Sequence, residues 1–240
     1  MTHVSEIAED VFRISTYLPA ADIQFNQFLI RDDEPLLFHT GHKRLFPQVR
    51  DAVSQLIDPG RLRWIGFSHM EADECGGLAD WQRLAPEATA LCSVIGKRIG
   101  VDDFIAERAA KAMNDGETFS TGRYCFRFLH TPQLPHGWDA GLLFEQEQGI
   151  LFCSDLLHQN GDVEALTRGD VVGRFRQTLV DNRDGPVPGY MPYTARTGAM
   201  MARLASLAPR VLAAMHGSTF AGDGRQVLTD TDMVMREVLG

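Results

Sequence analysis

At roughly 150 residues per domain, a chain of 240 residues is one large domain or two small ones, long enough to bury a core. Its 23 Lys and Arg against 32 Asp and Glu leave a net charge of −9, a balance that repels polyphosphate and argues against DNA or RNA as a partner. There is no run of 18 apolar residues, and the first ten residues, MTHVSEIAED, lack the apolar stretch of a signal peptide. The four cysteines (Cys75, Cys92, Cys125, Cys153) form no CxxC, so the expectation is a cytoplasmic protein with neither membrane span nor disulfide framework.

In chain order, VFRISTYL alternates apolar and polar residues, and FNQFLI and PLLFHT are short apolar runs parted by RDDE; all three predict strands. Leu45, Val49, Val53 and Ile57 have helical spacing, ended by Asp58-Pro59-Gly60. LRWIGFS predicts a buried strand, GGLADWQRL a helix, ATALCS a strand and VDDFIAERAAKAM a helix stopped at Asn114-Asp115-Gly116. GETFS, RYCFRFLHT, GLLFEQ and GILFCSD predict further strands, the last two a hairpin around Glu147-Gln148-Gly149. A long Pro-rich loop is expected from Leu156 to Tyr193, then a helix in GAMMARLASL, a strand in RVLAAMHGS and a closing helix in QVLTDTDMVMREVL. Two strand clusters, each with helices, suit two packed sheets covered by helices. No GxGxxG, P-loop or GxSxG sequence supports a dinucleotide, nucleotide or serine-hydrolase site.

The chemistry concentrates at strand ends. Ser68-His69-Met70-Glu71-Ala72-Asp73-Glu74-Cys75-Gly76-Gly77 places His69, Glu71, Asp73 and Glu74 where a hydrophobic strand gives way to a helix. If the segment is extended, alternate side chains His69, Glu71 and Asp73 converge, while Gly76-Gly77 allows close packing beneath. Three more strands end in ligand-type residues: His136 in Thr131-Pro132-Gln133-Leu134-Pro135-His136-Gly137, Asp155 after Ile150-Leu151-Phe152-Cys153-Ser154, and His216 after Val211-Leu212-Ala213-Ala214-Met215. Each alone suggests a structural hydrogen bond; together they suggest a rim of ligands above a sheet.

The order HxExDx-GG, PxxPH, a strand ending in SD, and MHGS resembles the metallo-β-lactamase superfamily over essentially the whole chain. Glu71, where the hydrolases have a second histidine, resembles the flavodiiron proteins and oxygen-binding di-iron proteins. The resemblance implies an α+β fold: a single four-layer αββα sandwich over residues 1–240, with a dinuclear site on one edge. It implies His69, Glu71 and His136 on the first metal, Asp73 and His216 on the second, and a bridging Asp155. Glu74 stands where the family has one more histidine. The reading favours Glu74 as a ligand of the second metal; turned away, it would leave that metal with an open position. His39, in Phe38-His39-Thr40-Gly41, stands where the superfamily usually has an outer-shell Asp, and would hydrogen-bond beneath the ligands or simply end a strand.

An oxygen- and nitrogen-rich donor set suits two iron ions, with Mn or Zn as alternatives. The implied function is binding or reduction of O2, as a sensor or as an oxidase fed by a separate electron donor; the alternative is a dinuclear-metal hydrolase of esters, thioesters or lactones. No FMN is expected on this chain, because it ends at Gly240 without room for a flavodoxin-like domain. Expected partners are O2 or another small molecule, an electron donor or signalling protein, and a second copy of the chain. Tyr190 and Tyr193 are expected near the metals as hydrogen-bond donors to bound O2. Cys75 reads as a small core residue, and His158 as a solvated loop residue or, alternatively, one that lines the pocket or shuttles protons; His3, His42 and His130 are assigned nothing.

Overall fold

The computed structural model describes residues 2–185 and 187–240. The first sheet has the spatial order β1 (Thr2–Ala8), β2 (Val11–Leu18), β3 (Ile23–Ile30), β4 (Leu36–Phe38), β5 (Trp64–Gly66), β6 (Thr89–Ser93) and β7 (Lys111–Met113). β1 to β4 form an antiparallel meander, while β4 to β7 run parallel. Parallel neighbours need crossovers. They are supplied by α1 (Phe46–Val53), then α2 (Ala72–Cys75) with α3 (Leu78–Leu84), then α4 (Val94–Gly96) with the wide-turned stretch Lys97–Ile105. The second sheet is built from β8 (Thr118–Ser120), β9 (Cys125–His130), β10 (Gly141–Glu145), β11 (Ile150–Ser154), β12 (Leu166–Thr167), β13 (Val211–Ala214) and β14 (Thr219–Ala221), in the order β12-β14-β13-β11-β10-β9-β8. Its outer face carries α5 (Val171–Asn182), α6 (Thr197–Ser206) and α7 (Gly224–Leu239).

The period of a strand sorts its residues into layers. On β3, Phe25 and Leu29 join Val49, Leu78 and Trp81 under the helices of the first sheet. Phe28 and Ile30 point the other way and meet Phe126, Phe128 and Phe152 of the second sheet. A third core packs Leu151, Leu212 and Phe220 against Phe175, Met201, Leu204 and Leu228. Four layers, αββα, follow, as expected. No described helix is long and apolar enough to cross a membrane, and all four cysteines are free.

Two local expectations fail, and the start of the chain, for which no element was expected, is a strand. The segment at the start of the chain forms β1, because Thr2 to Ala8 pair with β2 at the sheet edge. The predicted helix in VDDFIAERAAKAM stops at Ile105. There the Gln82 side chain accepts from the backbone N–H groups of Glu107 and Arg108 and draws the chain out, so that Lys111–Met113 pairs with β6 instead. Sheet pairing outweighs the modest helix preference of an Ala-rich run. The long loop from Leu156 to Tyr193 contains α5, whose Asp170 side chain caps Gly173 N–H and whose Val171, Phe175, Thr178 and Leu179 are buried at helical spacing.

Candidate metal centre

The strand ends after β4, β5, β9, β11 and β13 gather on one edge of the sandwich. His69 follows β5 directly, and Glu71 is the residue before α2, which carries Asp73 and Glu74. The start of α3 seats closely on the Thr40-Gly41 turn: Gly77 N–H donates to Gly41 O (2.9 Å) and Thr40 Oγ1 (3.0 Å), and a Cβ on Gly77 would lie 2.9 Å from Thr40 O. Asp155 follows the point where β11 shifts register against β13 and where Ser154 adopts φ 53°. His216 is fixed by Gly217, whose φ of 104° and whose close approach to Gln159 leave no place for a side chain.

These residues form two ligand sets. In the first, Glu71 Oε2 lies 3.0 Å from His69 Nε2 and 2.8 Å from His136 Nε2, and Asp155 Oδ2 lies 3.4 Å from His136 Nε2. In the second, His216 Nε2 lies 3.3 Å from Asp73 Oδ2 and 3.2 Å from Asp155 Oδ1. Within each set the donor atoms lie within 4.8 Å of one another, and Asp155 belongs to both, one oxygen to each. The remaining ring nitrogens point the imidazoles. His216 Nδ1 donates to Gln24 O (2.8 Å), and His69 Nδ1 lies 3.3 Å from Ser68 Oγ, leaving both Nε2 atoms free to ligate.

The charges show what the site needs. Burial opposes protonation of His69, yet its hydrogen bond with Glu71 and the nearby Glu74 and Asp155 raise its pKa to about 10. His216 is likewise buried, and Asp155 and Asp73 hold it protonated well above the ordinary histidine range. Hydrogen bonds from His136 and His69 push the Glu71 carboxyl far below the usual carboxylate range. Protons thus balance three carboxylates where cations would. Asp155 Oδ1 is buried and makes no well-aligned hydrogen bond among the described residues, His216 Nε2 lying 3.2 Å away, and the imidazole and carboxylate donors suit a pair of first-row divalent ions.

Two expected site residues lie elsewhere. Glu74 does not reach the second set: it is fully buried beneath the site, with Oε1 accepting from Ser154 Oγ (2.6 Å) and Oε2 from Ser68 N–H (2.9 Å) and His39 Nδ1 (2.5 Å). Asp73 and Glu74 are neighbours on a helix, about 100° apart around its axis, so one faces the pocket and the other the floor. Tyr193 also points away, its hydroxyl donating to Asp232 (3.0 Å) and accepting from Arg236 (3.1 Å). Tyr190 does line the pocket, its ring centroid 6.0 Å from that of His136.

The pocket above the two sets, about 320 Å³, is walled by Phe25, His42, His158, Asn160, Asn182 and Tyr190. His158, read as solvated, is instead buried, with its ring 4.7 Å from that of His216. Burial, then the nearby His216, lowers its pKa to about 3. His42, assigned nothing, packs edge-on against Phe25. No signal local in sequence reveals the burial of His158, which depends on Tyr190 and His216; for His42 the only signal is its place beside Thr40-Gly41.

Fold and site together put two groups of side chains that could each hold a metal ion on one edge of a metallo-β-lactamase-like sandwich. The chain belongs to the ODP family of beta-lactamase-like proteins, whose family model matches residues 23–217. Among curated proteins it is 25% identical over 167 residues to flavo-diiron protein FprA2 of Clostridium acetobutylicum, covering 63% of this chain and 41% of that one. It is 22% identical over 200 residues to rubredoxin-oxygen oxidoreductase of Megalodesulfovibrio gigas, covering 82% and 49%. The structure of the flavodiiron protein from Giardia intestinalis superposes with a TM-score of 0.83 at 15% identity, over 98% of this chain and 60% of that one. The chain spans from 23% to 49% of the length of these and similar curated relatives.

Proposed function

We propose that the chain is a non-haem di-iron protein that binds or reduces dioxygen, with electrons delivered by a donor outside residues 1–240. The observation that carries this reading is the double set of nitrogen and oxygen donors with Asp155 shared between them. Held by these residues, a pair of ferrous ions would supply two electrons to one diatomic molecule. The relatives named for flavo-diiron and rubredoxin-oxygen chemistry support iron over zinc. So does Glu71, a carboxylate touching both His69 and His136, which adds hard-donor character to the first set and favours iron over the hydrolytic alternative.

The residues of this chain do the remaining work. Gln24 O and the Ser68 hydroxyl orient the imidazoles, and Asp155 holds the two positions at one spacing. Tyr190 and His158 close the far wall, with the Tyr190 hydroxyl 3.3 Å from His158 Nδ1. A sensor and an oxidase share this site and differ in whether a reductant turns it over.

The test is anaerobic purification, ferrous reconstitution and exposure to O2. Two irons per chain and a new visible absorption band are expected. Colourless protein with less than one iron per chain would refute the assignment.

A further inference from the structure

This inference rests on the dinuclear reading and concerns the inequality of its two positions. Four side chains converge on the first: His69, Glu71, His136 and Asp155. Among the described residues, only Asp73, Asp155 and His216 converge on the second. Glu74, next to Asp73, would be the natural fourth donor there, but its two oxygens are spent on Ser154, Ser68 and His39. His39 cannot readily let go. It is fully buried, sits at φ 65° at the end of β4, and packs against the rings of Phe28 and Phe38.

The side of the second position that lacks a donor opens on the pocket, where His158 stands beside His216. The Tyr190 hydroxyl lies 3.3 Å from His158 Nδ1 and so occupies that nitrogen, whereas Nε2 is buried and has no partner among the described residues. Such a group awaits a partner.

We propose that the second metal position is one protein donor short, that it fills after the first, and that its free side captures a small anionic or diatomic ligand hydrogen-bonded by His158 Nε2. The second position has two carboxylates and a single imidazole, and one more exogenous atom completes a four-donor shell there.

The test is a cobalt(II) titration of the metal-free full chain, followed by calorimetry and visible absorption, and then addition of azide. The first equivalent is expected to bind at least about tenfold more tightly than the second, the scale of losing one supporting group at a metal site. Azide should alter only the absorption of the second. Glu74→Gln should leave the second equivalent within about threefold and act instead on the first, through His69, whose Nδ1 lies 3.8 Å from Glu74 Oε1. His158→Phe should raise the azide Kd on the order of tenfold, the worth of one hydrogen bond to a charged group. Two equivalents of equal affinity, azide acting at the first, or Glu74→Gln weakening the second tenfold would each overturn the proposal and leave the dinuclear reading standing. Failure to bind cobalt at all would overturn that reading and this one with it.

Discussion

Replacing Glu74 by Ala separates a floor carboxylate from a metal ligand by the sign of its effect on the metal-free chain. As a ligand, Glu74 would be a further negative charge beside Glu71, Asp73 and Asp155, and its removal would stabilise the protein without metal. In the structure it is instead the shared acceptor of Ser68 N–H, Ser154 Oγ–H and His39 Nδ1–H, all buried. Each stranded donor costs about 1–3 kcal/mol, and breaking a buried pair from one side costs about 3–5 kcal/mol. Three stranded donors together would cost about 3–9 kcal/mol, and the low end, about 3–5 kcal/mol, is the better guide, because relief of the repulsion between Glu74 and Asp73 returns part of the loss. For a chain of this size, 3–5 kcal/mol corresponds to a fall in Tm of roughly 6–20 °C. Thermal unfolding in a chelator, followed by circular dichroism, measures it. Glu74→Gln, which keeps one acceptor oxygen, should lose about a third as much. An unchanged or raised Tm for Glu74→Ala would refute the floor assignment.

Asp155→Asn should reduce bound iron from two per chain to one or fewer, since one side chain serves both positions; metal analysis after desalting checks this. Metal binding near pH 7 should release protons, because His69, with a pKa of about 10, and His216 are protonated in the metal-free site; calorimetry in two buffers of different ionisation enthalpy reads the number. For His69 the folded pKa lies above the unfolded one, so its contribution to metal-free stability is complete below about pH 6.5 and fades as the pH rises through about 10, visible as a falling Tm. Tyr193→Phe should leave the lifetime of any oxygen adduct unchanged, whereas Tyr190→Phe should alter it by releasing His158. Trp81→Ala, at a fully buried position on α3, should cost about 3–5 kcal/mol in urea unfolding.

The sequence made the layers readable because β3, β5, β11 and β13 are buried and announce themselves as apolar runs. It also made His69, Asp155 and His216 readable, since each stands at the abrupt end of such a run. What it hid has identifiable causes. Glu74 was misplaced because an extended segment and a one-turn helix allot neighbouring residues differently, and α2 begins at Ala72. Tyr193 lies three residues from a pocket residue but follows the chain out towards α7, where Asp232 and Arg236 claim its hydroxyl. His158 looked solvated because its burial depends on Tyr190, His216 and the loop across the pocket, none of them local in sequence.

The left-handed backbone at His39 and Ser154 constrains how this protein can be made sturdier. Glycine relaxes such a conformation and is ordinarily the first substitution an engineer would try. Here it would delete the two side chains that hold Glu74 in the floor, so relief of strain and retention of the site pull in opposite directions. Thermostabilisation should therefore begin far from the ligands, at exposed apolar positions such as Met233 on α7, and leave the strand ends untouched.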